Sequence, residues 1–309
     1  MGRAWHDAWA EAAGTFAEAD LILGDQLGDP LSRLCFEGPP ERLNRTDVSQ
    51  PAIFATSIAC WRALLAKLGF ANDLSTDTAE DTAPLAATAG LSLGEYTALV
   101  VAGAIGFKDG LRLVTLRGRA MQDAAEAEPS GMVALIGADE AQAQAICDQA
   151  RGNDVLVVAN LNAPGQVVLS GHLTALGRAE EAAADAGLRA TRLQVAGAFH
   201  SPLMQPAADR LREALAEVEI AEPRCPVLSN VTARPHAPDE GGTIAETIRR
   251  RLVEQLTSPV RWAESMAWGV EHLAGPGVQL HELAPGKTLA GLMRRIEKSA
   301  KVESHDQPD

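Results

Sequence analysis

The fold of this chain is organised around the stretch Thr88-Ala89-Gly90-Leu91-Ser92-Leu93-Gly94-Glu95-Tyr96, in which a serine stands between two glycines at the spacing Gly-x-Ser-x-Gly. This spacing is typical of a nucleophile elbow, a sharp strand-to-helix turn that projects the serine hydroxyl into a cleft. Gly90 and Gly94 are expected to give the backbone room to fold back on both sides of Ser92. An ordinary turn also satisfies the pattern, so its meaning depends on its surroundings.

The surroundings of Ser92 have the order that an elbow needs. Residues 84–89 can form a short buried strand, and residues 95–104 have the pattern of a helix that starts directly after the turn. The first N–H groups of a helix have no partner within it, so they can face a developing negative charge. We therefore predict that Ser92 is a nucleophile and that the amide of Leu93 stabilises an oxyanion.

Composition argues against several classes of protein. With 309 residues, 46% of them hydrophobic and 22% charged, the chain has the profile of a globular protein with one large or two ordinary domains. Its net charge of -14 repels phosphate and anionic lipid, which argues against nucleic acid or a membrane surface as the main partner. The sequence has no run of about 18 apolar residues and no secretory signal near its start, so the expected location is the cytoplasm.

The cysteines form no Cys-x-x-Cys pair, which predicts reduced, buried thiols rather than a metal or redox centre. They are Cys35, Cys60, Cys147 and Cys225. The turn Pro285-Gly286-Lys287 is too short for a nucleotide-binding loop. We expect no metal and no bound cofactor.

A charged side chain interrupts the apolar face of the helix predicted for residues 108–126. Leu113, Val114, Arg117 and Met121 fall on one side of this helix, which places a guanidinium among apolar neighbours. A buried charge needs a partner. Arg117 either reaches solvent or a structural carboxylate, or it binds a substrate carboxylate through two parallel hydrogen bonds.

Residues 131–195 have the pattern of a compact unit of their own. Strands are predicted at 133–136, 155–159, 167–170 and 189–194, and helices at 140–151 and 173–187. The order βαββαβ predicts a ferredoxin-like, four-stranded antiparallel sheet with both helices on one face. The chain is therefore divided into a discontinuous catalytic subdomain, 1–129 and 196–309, and an inserted ferredoxin-like subdomain, 130–195.

His200 is the next candidate for catalysis. It precedes Ser201, which can cap a helix, and Pro202, which can begin one, so His200 is expected at a helix entrance. A lone histidine is more often structural than catalytic. A nucleophilic serine needs a general base, however, and imidazole has a suitable pKa.

The remaining segments are predicted from periodicity and turn residues. Helices are expected at 3–23, 50–68 and 244–256, strands at 225–229 and 279–283, a solvated acidic loop at 72–81, and a frayed polar tail at 298–309. The helix at 50–68 has too few polar positions for an exposed element, so it is predicted to be a core helix.

A series of motifs runs along the chain in this order: Gln50-Pro51-Ala52, the elbow at Ser92 with Glu95-Tyr96, Leu116-Arg117-Gly118 with Met121-Gln122, Asn162-Ala163-Pro164-Gly165-Gln166-Val167-Val168, Gly197-Ala198-Phe199-His200-Ser201, Gln255 before Pro259-Val260, and Pro285-Gly286-Lys287. In content and order these motifs resemble those of malonyl-CoA:acyl-carrier-protein transacylases over nearly the whole chain. The resemblance implies an α/β fold, with an α/β-hydrolase-like parallel sheet in the large subdomain and the ferredoxin-like unit inserted in it.

By the same resemblance, Ser92 attacks a malonyl thioester, His200 is the general base, and the backbone carbonyl of Gln255 orients the histidine. Arg117 corresponds to the arginine that holds the malonyl carboxylate, and Phe199 to the residue that selects malonyl. The implied substrates are malonyl-CoA and the phosphopantetheine thiol of acyl carrier protein, in fatty-acid or polyketide synthesis.

The chain departs from the family pattern at two places. Leu91 replaces a usual histidine, which should alter the packing behind the elbow and leave the mechanism intact. The family's first strand and its Gly-Gln-Gly-x-Gln loop, whose last glutamine supplies an oxyanion amide, have no counterpart here. We expect that the start site is placed too late and that Met1 is an internal methionine of a longer reading frame.

Two other functions fit the same residues. A serine thioesterase or esterase shares the serine and histidine but admits water, and it has no need of a buried cation such as Arg117 facing its acyl group. A non-catalytic carrier-binding protein would not need the oxyanion loop.

The carrier protein is expected to be acidic and the enzyme a monomer. The proposed basic docking face comprises Arg249, Arg250, Arg251, Lys287, Arg294 and Arg295.

Overall fold

The computed structural model describes residues 1–70 and 83–308, so the loop predicted at 72–81 lies outside the described residues. The helices are α1 (Arg3–Ala8), α2 (Ala10–Leu23), α3 (Leu31–Glu37), α4 (Pro40–Leu43), α5 (Thr46–Leu68), α6 (Gly94–Val101), α7 (Phe107–Ala127), α8 (Glu140–Ala150), α9 (Leu173–Asp185), α10 (Gln205–Ala216), α11 (Ile244–Gln255), α12 (Trp262–Leu273) and α13 (Thr288–Ile296). The strands are β1 (Ser130–Ile136), β2 (Leu156–Ala163), β3 (Gln166–His172), β4 (Arg189–Arg192), β5 (Leu280–Leu283) and β6 (Val302–His305), and a short 3-10 helix spans Pro202–Met204.

The central helix of the larger core is α5. Its length and mean hydropathy of 1.2 would allow it to cross a membrane, but 67% of that apolar window is buried inside the protein, as in an ordinary core helix. Side chains such as Phe54 and Ile58 are fully buried in a cluster shared with α2, α6 and α7. The helix begins at Thr46 rather than at the predicted residue 50, and the prediction of a core helix is confirmed.

Glycine brings α7 close to the beginning of α5. A Cβ atom at Gly118 would lie 2.6 Å from the carbonyl oxygen of Thr46, so a larger residue there would push the helices apart. This close approach places Arg117, the residue before that glycine, beside Gln50 on α5. The packing of the two helices therefore sets one wall of the site.

The antiparallel sheet has the strand order β2-β3-β1-β4, and α8 and α9 pack against it around a separate apolar cluster. In β1, Val133 pairs with Leu169 of β3 on one side and with Arg192 of β4 on the other. The hairpin between β2 and β3 turns on Pro164 and Gly165, and Gly165 has a φ of 69°. The βαββαβ order is thus present, while the exact domain boundaries stay a prediction.

The strands predicted at 84–89 and 225–229 pair less extensively than expected. Between these two segments the structure has one parallel bridge, between Thr88 and Val227, with Leu228 N donating to Thr88 O at 3.0 Å. Pro84 and Pro226 have no N–H to donate, which limits a longer ladder. The fold class is nevertheless confirmed as α/β with parallel and antiparallel pairing.

The chain's two ends depart from the prediction. The helix expected over 3–23 is broken at Trp9, whose φ of -135° is extended. The tail expected to fray instead forms β6, parallel to β5. Trp5 Nε1 donates to His305 O at 3.0 Å, and Asp306 Oδ1 accepts from Gly286 N at 2.6 Å. These hydrogen bonds attach the polar tail to the rest of the protein, although its composition predicts a solvated segment.

Candidate active site

Backbone geometry at the elbow depends on one glycine rather than on two. Ser92 has a φ of 52°, the left-handed conformation that projects a side chain from a tight turn. A Cβ atom at Gly90 would lie 1.9 Å from the carbonyl carbon of Gly94, so only glycine fits at position 90. Apart from its chain neighbours and the backbone of its own helix, a Cβ atom at Gly94 would meet no described atom within 4 Å. The prediction that Gly94 supplies room for the turn is therefore wrong, since that residue is simply the first of α6.

The structure brings Ser92 and His200 into contact. Ser92 Oγ lies 2.9 Å from His200 Nε2, and His200 Nδ1 lies 2.8 Å from the backbone oxygen of Gln255. Because a carbonyl oxygen only accepts, the proton of a neutral imidazole resides on Nδ1, and Nε2 offers its lone pair to the serine hydroxyl. The arrangement is a nucleophile, a base and an orienting acceptor in series.

His200 is fixed at a helix entrance, as predicted. Its φ is 58°, and the 3-10 helix that leads into α10 follows two residues later. Ser201 Oγ donates to Ala198 O at 2.6 Å and accepts from Leu203 N at 3.3 Å, which closes the turn around the histidine. Phe199 O accepts from Ser170 Oγ of β3 at 2.6 Å, so the antiparallel sheet also holds this turn.

The environment of His200 keeps its imidazole neutral. Burial and, to a smaller extent, the nearby Arg117 charge lower the pKa of His200 from 6.5 to about 4, while the hydrogen bond to the Gln255 carbonyl acts in the opposite direction. The residue is 4% exposed. At neutral pH the ring can therefore accept a proton from Ser92.

Arg117 is buried, with an exposed fraction of 1%, and it points at the nucleophile. Its guanidinium donates to Gln50 Oε1 at 2.6 Å, to Gln255 Oε1 at 3.0 Å and to Ser92 Oγ at 3.0 Å. Burial lowers the pKa of Arg117. Among the described residues no carboxylate lies within ion-pair distance of it, so the structural carboxylate considered from the sequence is not found in this part of the chain.

Three further residues support the elbow, and none was singled out from the sequence as a site residue. Asn230 Oδ1 accepts from Ser92 N at 2.6 Å, and Asn230 Nδ2 donates to Gly90 O at 2.8 Å, so one amide clamps the turn from both sides. Glu95, on the first turn of α6, is fully buried against His236, with Oε1 and Nε2 2.8 Å apart. Only Glu95 carried a signal, as part of the elbow motif.

A cleft of about 240 Å³ opens above the serine. Its walls include Leu91, Leu93, Arg117, Phe199 and His200. This volume is below the range of roughly 300–1,000 Å³ typical of sites for drug-sized ligands, and it suits a short acyl group. Leu93 N makes no hydrogen bond to another described residue, so this amide is available at the beginning of α6 to an oxyanion.

Among the described residues, one group of side chains outside the cleft could hold a cation. His281, Glu303 and His305 place one ligand atom each within 4.8 Å of one another on the β5–β6 pair. None of the three lines the cleft at Ser92.

The cleft at Ser92 combines a nucleophile, a neutral base and a buried cation, which suits acyl transfer from a substrate that carries its own negative charge.

Comparison with known proteins also indicates an acyl transferase. Residues 1–284 match the acyl transferase domain family. The malonyl CoA-acyl carrier protein transacylase of Salmonella typhimurium (strain LT2) is 40% identical over 296 residues, covering 95% of this chain and 87% of that protein.

Solved structures agree over the whole fold. The malonyl CoA-acyl carrier protein transacylase from Coxiella burnetii is 35% identical, with a TM-score of 0.87 and coverage of 99% of this chain and 89% of that one. A malonyl-transacylase in complex with its type II polyketide synthase acyl-carrier protein is 38% identical, with a TM-score of 0.87 and coverage of 100% and 92%. Both the sequence and the structural similarity therefore extend over nearly the whole chain.

Proposed function

The chain belongs to the malonyl-CoA:acyl-carrier-protein transacylase family, and from this premise we propose that it transfers a malonyl group from malonyl-CoA to the phosphopantetheine thiol of acyl carrier protein. It is an S-malonyltransferase that works through a malonyl ester of Ser92. The observation that carries this function is the buried guanidinium of Arg117, which lies 3.0 Å from the nucleophilic oxygen and has no carboxylate partner among the described residues.

The first half-reaction forms the ester. His200 Nε2 takes the proton of Ser92 Oγ as this oxygen attacks the thioester carbonyl, and the carbonyl oxygen becomes an oxyanion that the Leu93 amide stabilises. The intermediate collapses, the carbon–sulfur bond breaks, and His200 returns its proton to the departing CoA sulfur. The malonyl group is then bound to Ser92 and the imidazole is neutral again.

The second half-reaction reverses these steps with another thiol. His200 takes the proton of the phosphopantetheine thiol, and the sulfur attacks the ester carbonyl. The bond between the carbonyl carbon and Ser92 Oγ then breaks, and the same proton is returned to Ser92 Oγ. Atoms and protons balance across the cycle, so the chain's own side chains suffice, with no metal or bound cofactor. Malonyl-CoA and the carrier are the two successive substrates of a ping-pong cycle.

Selection of malonyl is assigned to Arg117 and Phe199. The guanidinium is a planar donor that can bind a carboxylate with two parallel hydrogen bonds, and its burial strengthens that interaction. Phe199 lines the cleft beside His200 and limits the space for a branched acyl group. A simple esterase whose acyl group carries no charge would have nothing for this buried cation to bind.

Contacts within the enzyme reduce the six basic residues proposed from the sequence to a smaller set that could bind the carrier protein. Arg250 and Arg251 both pair with Glu254, and Arg249 donates to backbone oxygens of residues 215 and 218. The remaining positive side chains lie at or next to α13 and, unlike Arg249, are exposed; they are Lys287, Arg294 and Arg295, of which Arg295 also donates to the backbone oxygens of residues 164 and 165. We assign the docking of an acidic carrier protein to this end of the chain, with the enzyme acting as a monomer.

Intact-protein mass spectrometry tests the proposal. After incubation with malonyl-CoA, the chain should gain the mass of one malonyl group at Ser92, and added holo carrier protein should remove it. An ester that water removes at the same rate without a carrier would identify a hydrolase. A chain that never gains the group, under conditions in which a related transacylase does, would overturn the function.

A further inference from the structure

Glu95 has contacts that the mechanism above does not use. It lies three residues after the nucleophile, is fully buried, and forms no ion pair with a lysine or arginine in the described part of the chain. We propose that Glu95, held by His236, is a positioning residue that fixes the side-chain amide of Gln255 and through it the malonyl-binding orientation of Arg117. This inference rests on the proposed function and adds a residue to its selectivity.

Both carboxylate oxygens of Glu95 are committed. Oε2 accepts from Gln255 Nε2 at 2.6 Å and from Asn230 N at 3.1 Å, and Oε1 is 2.8 Å from His236 Nε2. The backbone of His236 is held in turn, since its N–H donates to Val227 O at 2.9 Å. The carboxylate is therefore fixed from three directions by groups of two separate segments.

The orientation of the Gln255 amide follows from these acceptors. Gln255 Nε2 faces the Glu95 carboxylate and also Ser92 O, which is 3.1 Å away. An ionised carboxylate and a carbonyl oxygen can only accept, so the NH₂ group must lie on their side and Oε1 must lie on the opposite side. That opposite side is where Arg117 donates to Gln255 Oε1 at 3.0 Å.

Reversing the amide would disrupt the site in a defined way. The NH₂ group would then face the guanidinium of Arg117, donor against donor, and the buried cation would lose one of its three acceptors. Because leaving buried polar groups without partners is costly, the guanidinium would move to find another acceptor. A displacement of about 1 Å at a reacting or binding group can lower a rate roughly a hundredfold.

Charge gives Glu95 a second means of acting on Arg117. A single amide separates the anionic carboxylate from the cationic guanidinium, and both are buried. Such a pair retains more of its Coulomb attraction than an exposed one. The second ring nitrogen of His236, Nδ1, is buried without a hydrogen-bond partner among the described residues. A ring that donates from Nε2 to Glu95 leaves only a lone pair at Nδ1, which agrees with that observation.

Glu95→Gln is the most direct test, because it keeps the shape but removes the charge and allows the side chain to donate. We expect kcat/KM for malonyl-CoA to fall roughly ten- to a hundredfold, mainly through KM, whereas kcat/KM for acetyl-CoA changes severalfold less. The matched control is Glu282→Gln, since Glu282 is also a buried carboxylate and accepts from Leu289 N and Ala290 N at the beginning of α13. This control should lower the melting temperature without changing the malonyl-to-acetyl ratio.

A double-mutant cycle with Arg117→Ala separates positioning from general damage. If Glu95 acts through the guanidinium, Glu95→Gln should cost little further malonyl selectivity once Arg117 is removed. Equal losses for malonyl and acetyl, or fully additive effects in the cycle, would overturn the inference. Should Glu95→Gln fail to fold, His236→Asn serves in the same cycle and should show a smaller loss of the same kind.

The wild-type chain distinguishes failure of this inference from failure of the proposed function. Malonyl labelling of Ser92 in the wild type tests only the function. Labelling of the wild type, together with an unchanged malonyl-to-acetyl ratio in Glu95→Gln, would reject the role of Glu95 and leave the function standing.

Discussion

His200 is oriented by the backbone oxygen of Gln255, 2.8 Å from Nδ1, and not by a carboxylate. A neutral acceptor fixes the tautomer of the imidazole but adds no negative charge beside it, so it does little to stabilise a protonated ring. Burial and the Arg117 charge then hold the pKa of His200 at about 4. The base is weak, and it is present in its active form throughout the neutral range.

Removing the nucleophile or the base should stop the first half-reaction. We expect Ser92→Ala to abolish the malonyl adduct and His200→Ala to slow its formation by several orders of magnitude, because the two groups act as a unit. Rapid-quench mass spectrometry measures both. Ser299→Ala, an exposed site away from the cleft, is the control and should label like the wild type. Persistent labelling of Ser92→Ala would place the nucleophile elsewhere.

Removing the buried cation should affect one substrate more than another. Arg117→Ala is expected to lower kcat/KM for malonyl-CoA sharply, while acetyl transfer stays level or rises, because only malonyl presents a carboxylate to the guanidinium. Arg119→Ala, on the same helix but with an exposed side chain, is the matched control and should leave both rates unchanged. Equal losses for both acyl groups would assign Arg117 a purely structural role.

The pH dependence of malonylation follows from the pKa of His200. The base works only when neutral, so kcat/KM for malonyl-CoA should be flat from about pH 5.5 to 8 and should fall about tenfold per pH unit below pH 4. In Arg117→Ala this acidic limb should move to higher pH, because a positive charge that disfavours protonation is gone. Stopped-flow measurements with short exposure to acid can record both profiles. A wild-type limb near the ordinary pKa of 6.5 would contradict the buried, neutral imidazole.

The two glycines of the elbow should respond differently to alanine. Gly90→Ala places a methyl group within 1.9 Å of the Gly94 carbonyl carbon, so the turn must distort, and both malonylation and melting temperature should fall. Gly94→Ala meets no described atom within 4 Å outside its chain neighbours and its own helix, and it replaces glycine with a better helix former, so its stability should be unchanged or higher by up to about 1 kcal/mol. Similar losses in both variants would show that the turn needs two glycines.

Periodicity and spacing were sufficient to predict the βαββαβ unit and the core helix, and the family resemblance implied the pairing of the elbow serine with His200. They were insufficient where the determinant is a long-range hydrogen bond. Asn230 and His236 reach the elbow from a segment more than a hundred residues away, and nothing local in their sequence indicates that contact. The tail at β6 was likewise predicted to fray, because its polar composition does not reveal its pairing with β5.

The docking of acyl carrier protein should depend on the exposed basic residues near α13. Charge reversal of Lys287, Arg294 and Arg295 to glutamate is expected to raise the KM for the carrier at least severalfold at low salt, and added salt should reduce the difference, since screening weakens exposed charges. Malonylation of Ser92 by malonyl-CoA should be unaffected, which separates carrier docking from chemistry. Reversal of Arg250 and Arg251 is the control, because their two positive charges are already balanced by the carboxylates of Glu254 and Asp239. If the control variant loses carrier affinity and the α13 variant keeps it, the carrier docks on α11 instead.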